Sequence, residues 1–228
     1  ITFLFKIMRK LKNFVTALHK KTKRNYLHRM TDNKIFCMEV AQRYSRDYWD
    51  GNRRFGYGGY KYIEGRWKKM ALKLIKDYKL TENSKILDVG CGKGYLLYEI
   101  QKILPAIKIF GFDLSGYAIK NIPSNLRGKF LKGDIRKNFP YKKKFFDLTI
   151  SLGVLHNLKL NEIKHSIYEI NRVSKQSYIM VESYRNNREL FNLQCWALTC
   201  KAFFDKDEWI WIYNHFDYKG DYEFIYFE

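Results

Sequence analysis

The sequence predicts an α/β fold in which a doubly wound, mostly parallel sheet carries helices on both faces. Short apolar runs with the features of buried strands alternate with segments of helical periodicity through the middle of the chain. Glycines and aspartates follow the ends of several of these strands. The 228 residues are 46% hydrophobic, which suffices for the core of one domain and excludes a fully disordered chain.

The strands and helices can be placed along the chain from their periodicity. A helix is predicted from Glu64 to Tyr78, because its apolar residues recur at a spacing of three and four. Apolar positions also share one face in the segments 95–104 and 161–173, which are therefore predicted to be crossover helices. The predicted strands are residues 85–90, 107–115, 129–134, 146–152, 177–183 and 222–228.

The net charge of +20 is concentrated at the N-terminus. Residues 1–31 hold nine basic residues and no acidic residue, with an apolar stripe from Leu4 to Leu18 at helical spacing. We expect residues 1–47 to form a basic helical extension, with a helix that starts at Thr31 or Asp32 and runs to about Tyr48. The stripe could pack on its own domain, on a second copy, or on an anionic membrane surface.

Residues 48–67 are rich in glycine and aromatic residues, with five glycines and seven aromatic side chains. This composition fits neither a helix nor a strand, since glycine permits sharp bends and tyrosine offers a flat apolar face with a polar tip. We expect these residues to form a lid loop, and we expect the domain that begins with this loop to span residues 48–228. Its candidate acceptor-binding or lid side chains are Asp50, Tyr57, Tyr60 and Arg66. Of these, Arg66 could instead bind a carboxylate of the cofactor or cap the helix that follows.

The turn after the first strand indicates which ligand the sheet binds. Parallel sheets bind ligands beyond the carboxyl ends of their strands, where Gly90, Gly92 and Gly94 follow the first strand and Asp113 follows the second. The spacing G-x-G-x-G lacks the third glycine of the dinucleotide fingerprint, since residue 95 is Tyr, and no phosphate-loop motif follows. Asp88 beside the turn suits a cationic ligand, so a nucleoside with a positive charge, S-adenosylmethionine, fits this Rossmann-like site.

Four motifs in order resemble the class I S-adenosylmethionine-dependent methyltransferases. They are DVGCGKG at 88–94, FDLS at 112–115, KGD at 132–134 and FDLTISLGVLHNL at 146–158. The resemblance extends over roughly residues 60–185. Together with the Tyr/Gly-rich loop and the aromatic tail, it points to a bacterial branch of the family that is associated with surface-polysaccharide genes.

The resemblance implies a role for individual residues. The glycine turn would run along the methionine part, Asp113 would bind the ribose hydroxyls, and the sulfonium would lie near the end of the fourth strand. The residues implied to bind the cofactor are Asp88, Gly90, Cys91, Gly92, Gly94, Asp113, Leu114, Asp134, Ile135, Leu152 and Gly153.

The chain departs from the family pattern in two places. The helix after Asp113 is short, because Pro123 and Gly128 interrupt it. A single strand follows the last helix, where the family has a hairpin of two strands, so the sheet edge is expected to differ from the usual seven-stranded arrangement.

Two residues are candidates for acid–base chemistry. Methyl transfer needs a base only if the acceptor must lose a proton. His156 follows the fourth strand and Glu182 ends the fifth, so either could accept that proton. The alternatives are that His156 hydrogen-bonds the next turn and that Glu182 pairs with Arg185 or Arg172.

Three functions remain open on the sequence alone. The favoured function is methyl transfer to an oxygen or nitrogen of a small-molecule or sugar-type acceptor. The basic composition favours an RNA methyltransferase instead, although the [DN]-P-P-[YF] signature of base amino-methylation is absent. The third is an inert basic adaptor with the same fold.

Cysteine content and hydropathy bear on location and partners. The four cysteines have no paired C-x-x-C spacing, so neither a disulfide scaffold nor a structural zinc site is expected. We expect a cytoplasmic protein, with peripheral contact at the inner membrane face through residues 1–31 and a homodimer as open alternatives.

Overall fold

A six-stranded sheet forms the centre of the computed structural model, which describes residues 9–58 and 61–228. The strand order is β3-β2-β1-β4-β5-β6, and every described pairing is parallel. The strands are β1 (Lys85–Val89), β2 (Lys108–Asp113), β3 (Lys129–Lys132), β4 (Phe146–Leu152), β5 (Ser174–Glu182) and β6 (Asp221–Ile225). The predicted α/β fold with a doubly wound sheet is therefore confirmed, and the strand order reverses between β1 and β4, where such sheets bind ligands.

Helices cover both faces of this sheet, because alternate strand residues point to opposite sides. Leu87 of β1 lies in one core with the helices Leu160–Val173 and Lys206–His215, whereas Ile86 lies in a second core with the helices Lys68–Asp77 and Tyr95–Ile103. The helices are α1 (Thr16–His19), α2 (Tyr26–Thr31), α3 (Lys34–Ala41), α4 (Arg46–Asp50), α5 (Lys68–Asp77), α6 (Tyr95–Ile103), α7 (Gly116–Lys120), α8 (Leu160–Val173), α9 (Asn187–Trp196) and α10 (Lys206–His215), with 3₁₀ turns at Arg53–Phe55 and Leu155–Asn157. Among the described residues, no helix has the length and apolar character needed to cross a bilayer.

The N-terminal segment departs from the predicted amphipathic helix. Of the described residues, Leu11 forms a parallel bridge with Tyr222, and helix starts only at Thr16. Phe14 and Val15 are buried in the core, so these two members of the stripe cannot contact a lipid surface. The prediction of a helix from Leu4 to Leu18 is thus wrong for residues 9–15, and Leu4 lies outside the described residues.

Backbone hydrogen bonds to Tyr222 hold residues 10–12 extended, and a buried carboxylate anchors the start of α1. Glu223 of β6 accepts hydrogen bonds from the backbone N–H groups of Phe14, Val15 and Thr16, at 2.6, 2.9 and 2.8 Å. Tyr178 donates its hydroxyl to the same side chain at 2.6 Å. The segment therefore covers the edge of β6, where the family pattern has a second strand and where the sequence predicted a departure from it.

The long helix predicted from Thr31 or Asp32 to Tyr48 is two helices. Asn33, not Thr31 or Asp32, occupies the position before α3, with a φ of 39°. Tyr44 has a φ of 47° and separates α3 from α4. A residue with left-handed backbone ends a helix. The apolar periodicity of the sequence continues across Tyr44 and therefore gave no sign of this break.

Candidate functional site

The turn after β1 requires glycine at the positions that the sequence singled out. Gly90, Gly92 and Gly94 have φ values of 81°, 54° and 71°. A Cβ at Gly90 would lie 2.3 Å from Val154, and one at Gly92 would lie 2.9 Å from the ring of Trp49. Backbone conformation and close packing therefore both exclude larger side chains.

Asp113 fastens this turn to the end of β2. Its Oδ2 accepts the N–H of Gly92 at 2.9 Å, and its Oδ1 accepts the N–H of Ser115 at 2.8 Å. Burial raises the pKa of the carboxyl, and the two N–H groups oppose that rise. Asp113 lines the cavity at the strand ends, and its oxygens keep lone pairs for hydroxyl donors.

Asp88 supplies a carboxylate that lacks a hydrogen-bond partner. Its side chain is buried, and Oδ1 has no partner among the described residues. Burial, helped by the charge of Asp113, raises the pKa of Asp88 to about 8. An unpaired buried carboxyl that lines the cavity suits a cationic group such as an ammonium.

One cavity of about 440 Å³ brings most of the candidate residues together. This volume lies within the usual range for small-molecule sites. Of the cofactor candidates, Gly94 does not line the cavity but precedes α6. The candidates that do line it are Asp88, Gly90, Cys91, Gly92, Asp113, Leu114, Asp134, Ile135, Leu152 and Gly153.

The Asp134 carboxylate already has a partner. Both its oxygens lie within hydrogen-bond distance of the Arg136 guanidinium, the shortest contact being 2.7 Å. Those bonds lower the pKa of Asp134. Asp134 therefore remains ionised at the edge of the cavity, next to Ile135.

Helix α4 closes the glycine turn from above. Trp49 donates its Nε1–H to the Ser115 hydroxyl at 2.8 Å, and its ring lies over Gly92. Asp50 does not line the cavity, because its carboxylate accepts from Lys93 at 2.6 and 2.7 Å and from Tyr117 at 2.8 Å. Asp50 thus fastens the loop to the turn, which argues against its predicted role in binding the acceptor.

The other loop candidates have different positions. Tyr57 lines the cavity, but its hydroxyl accepts the N–H groups of Leu198 at 2.7 Å and Thr199 at 3.1 Å. The Tyr57 ring therefore faces the cavity while its polar end fastens the loop to the tail. Arg66 also lines the cavity, and Tyr60 lies outside the described residues.

His156 and Glu182 meet in this cavity. The backbone N–H of Glu182 donates to Nδ1 of His156 at 3.1 Å, and His156 Nε2 lies 3.5 Å from Glu182 Oε2. Burial lowers the pKa of His156 to about 3, so the ring is neutral. Because Nδ1 accepts a hydrogen bond, Nε2 carries the proton, and His156 has no free lone pair with which to act as a base.

Glu182 has the properties of a base. Burial raises its pKa to about 7, against the effect of the Arg24 charge, and Oε2 has no hydrogen-bond partner among the described residues. The expected pairing with Arg185 or Arg172 does not form, since those residues bind Glu189 and Glu169.

Sequence reasoning missed the residues that complete the cavity from distant segments. Their only signal was the unusual density of basic and aromatic residues near the two ends of the chain. They are His19, Arg24, Tyr44, Trp49, Trp196, Lys201 and Phe227.

The fold and this cavity define a nucleoside-binding α/β protein whose site favours a cation. Residues 80–220 match a family model described as a methyltransferase domain, which covers more than half of the chain. The chain therefore belongs to this family, which confirms the resemblance of its motifs to the class I S-adenosylmethionine-dependent methyltransferases. S-adenosylmethionine fits the residues present, because Asp88 Oδ1 has no hydrogen-bond partner among the described residues and Asp113 at the cavity wall can accept hydrogen bonds from hydroxyl groups.

Relatives and solved structures agree on the fold and differ in what their names say. The chain is 32% identical over 103 residues to a tRNA U34 carboxymethyltransferase of Nautilia profundicola. This alignment covers 42% of this chain and 33% of that protein. It is 23% identical over 173 residues to a demethylmenaquinone methyltransferase of Thermotoga maritima, with coverage of 74% and 71%. A structure from Bacillus halodurans assigned as a methyltransferase aligns with a TM-score of 0.53 and 18% identity over 64% of this chain and 67% of that one. The chain thus spans a third of the length of the first relative.

Proposed function

We propose that the protein methylates an oxygen or nitrogen atom of a small-molecule or sugar-type acceptor. The observation that carries the proposal is the Glu182 carboxylate, which lines the same cavity as the glycine turn and whose Oε2 has no hydrogen-bond partner among the described residues. A group that can accept a proton next to the cofactor site suits an acceptor that must lose one.

Glu182 and His156 would have different roles beside the bound cofactor. S-adenosylmethionine, when bound, supplies a methyl group that its sulfonium has already activated for displacement. Glu182 would take the acceptor's proton on its carboxylate, since its pKa of about 7 makes it an effective base near neutral pH. His156 would position Glu182 through the hydrogen bond from the Glu182 backbone to Nδ1.

Aromatic side chains would align the acceptor and exclude water. Trp49, Tyr57 and Trp196 line the cavity from three separate segments, and Trp196 is buried. Alignment of the reacting atoms contributes much of the rate in such a displacement, and a closed apolar wall assists it.

RNA is the second candidate acceptor. The name of the Nautilia profundicola relative and the net charge of +20 favour it. The aromatic lining of Trp49, Tyr57 and Trp196 favours the small acceptor, because these side chains line the cavity from three separate segments.

Transfer of a tritium-labelled methyl group distinguishes the two acceptors. The full chain would be incubated with labelled cofactor and either a small-molecule extract containing nucleotide sugars or purified total RNA. The proposal predicts label in the small-molecule fraction, and its loss with Glu182→Gln. Label confined to RNA would assign the protein to the second candidate.

A further inference from the structure

Three arginine side chains surround Trp196 at the end of the cavity that is lined by Arg24, Tyr57 and Trp196, which the proposed function makes the acceptor end. The guanidinium carbons of Arg24, Arg29 and Arg53 lie 5.4, 4.7 and 5.5 Å from the centre of the Trp196 ring. Cation–π contacts of this kind hold a guanidinium in place but leave its in-plane N–H groups free to bind other partners.

Arg24 and Arg29 differ in how their N–H groups are used. Arg29 donates to the backbone carbonyls of Trp196, Arg53, Arg54 and Gly56, so it ties the loop to the tail. Arg24 lines the cavity, and its Nε has no partner among the described residues.

The remaining contacts of Arg24 fix its orientation without neutralising its charge. Its Nη1 donates to the carbonyls of His19 at 3.4 Å and Thr22 at 3.0 Å, and its Nη2 donates to Nδ1 of His19 at 3.0 Å. Nε2 of His19 lies 2.9 Å from the carbonyl of Tyr226 and donates to it. Within residues 9–58 and 61–228, no carboxylate forms an ion pair with Arg24.

The charges at this end of the cavity do not balance. Arg24 and Lys201 both line the cavity, and so does Glu182, whose charge interacts with that of Arg24. Burial raises the pKa of Glu182 to about 7, so this carboxylate is only partly ionised near neutral pH. A half-buried guanidinium without a full counter-charge is costly unless an anion completes it.

We propose that Arg24 binds an anionic group, a carboxylate or a phosphate, of the small-molecule methyl acceptor, with Lys201 at the same end of the cavity. This inference rests on the proposed function and narrows the acceptor to one that carries both a negative charge and the atom to be methylated. Guanidinium groups bind carboxylates and phosphates through paired, charge-assisted hydrogen bonds, which orients the ligand as well as holding it. Arg24 would thereby determine which acceptors bind.

Arg24 would be tested with defined anions on the full chain saturated with S-adenosylhomocysteine. The probes are glucuronate, glucose 6-phosphate and inorganic phosphate, with glucose as the neutral control. Calorimetry gives the affinities, and the NMR signal of the Arg24 Nε–H in ¹⁵N-labelled protein reports contact. Arg24→Gln removes the charge, Arg24→Lys removes the paired geometry, and Lys23→Gln removes an exposed charge one residue away.

The proposal predicts that at least one anion shifts the Arg24 signal and binds at least tenfold more tightly than glucose. Arg24→Gln and Arg24→Lys should weaken that binding about tenfold or more, as expected for a charge-assisted hydrogen bond, while Lys23→Gln leaves it unchanged. If the variants do not fold, the shift of the wild-type signal decides.

Four results would overturn the proposal. The first is an Arg24 signal that no anion shifts, and the second is equal anion binding in wild type and Arg24→Gln. The third is loss of S-adenosylhomocysteine binding in a folded Arg24→Gln. The fourth is displacement of the anions by RNA, if Lys23→Gln and Arg24→Gln weaken the binding of that RNA equally. Failure of wild type to bind S-adenosylhomocysteine at all would count against the proposed function, which separates the two failures.

Discussion

The two ends of the cavity are built in different ways. At the cofactor end, Asp88, Asp113 and Leu152 each belong to or directly follow a strand, and the parallel sheet brings them to one edge. At the acceptor end, Arg24, Tyr57 and Trp196 come from segments far apart in the chain that depend on one another for their position.

The backbone therefore determines the geometry of the cofactor end, whereas side-chain contacts determine the geometry of the acceptor end. The glycine turn is fixed by its own φ values and by hydrogen bonds to Asp113, whereas the acceptor walls are held by contacts such as Tyr57 to Leu198. We therefore expect changes at one end to leave the other end's binding largely intact.

The largest effect is expected from Glu182→Gln, which keeps the shape of the side chain but removes the base. Its methyl-transfer rate should fall by about 10²–10⁴-fold, the usual contribution of a positioned base. The rate would be followed as label transferred to the small-molecule fraction, with the exposed Glu64→Gln as the matched control. An unchanged rate would show that the acceptor needs no base from Glu182.

The pH dependence of the rate should follow the same carboxylate. Burial raises the pKa of Glu182 to about 7, so the side chain is protonated and inactive as a base below that pH. The rate of the wild type should therefore rise with pH up to about 7 and level off above it, whereas the residual rate of Glu182→Gln should lack this step. A wild-type rate that changes by less than about a factor of two between pH 5 and pH 8 would contradict the assignment of Glu182 as the base.

Glu223→Gln should destabilise the whole molecule, because the N-terminal segment is anchored by this buried carboxylate. Loss of charge-assisted hydrogen bonds predicts about 2–3 kcal/mol less free energy of unfolding in urea. Glu39→Gln, at an exposed position, is the control. Equal stability of the two variants would mean that the segment adds little to the fold.

Tyr57→Phe tests the lid with a smaller effect of about 1–2 kcal/mol, since it leaves two backbone N–H groups without their acceptor. Amide exchange in residues 48–67 should slow when S-adenosylhomocysteine is added to the wild type, and less so in Tyr57→Phe. The exposed Tyr168→Phe should behave as wild type. Exchange that ignores the ligand would reduce residues 48–67 to an ordinary surface loop.

The sequence predicted the parts of this molecule that local rules determine. Strand β4 lies at its predicted residues, and the turn glycines were recognisable because their positive φ values restrict the residue type. Asp113 was recognisable from its place at the end of the second strand. Residues 9–15 could not be predicted, since their position depends on Tyr222 and Glu223, more than 200 residues away.

Side-chain chemistry was harder to predict than position. His156 lies in the cavity as expected, yet the N–H of Glu182 occupies the lone pair that a base would need. The role of Asp50 changed for the same reason, because Lys93 and Tyr117 hold its carboxylate. Spacing along the chain shows where a side chain lies but not which partner it takes.

Calorimetric titration of S-adenosylhomocysteine into three proteins tests the separation of the two ends most directly. The wild type should bind with micromolar-range affinity, and Asp113→Ala should bind about 2–3 kcal/mol more weakly, because it loses the charged acceptor of ribose hydroxyls and of the Gly92 N–H. Glu182→Gln should bind within about twofold of the wild type, since Glu182 lies at the acceptor end. Equal weakening in both variants, or none in Asp113→Ala, would contradict the account.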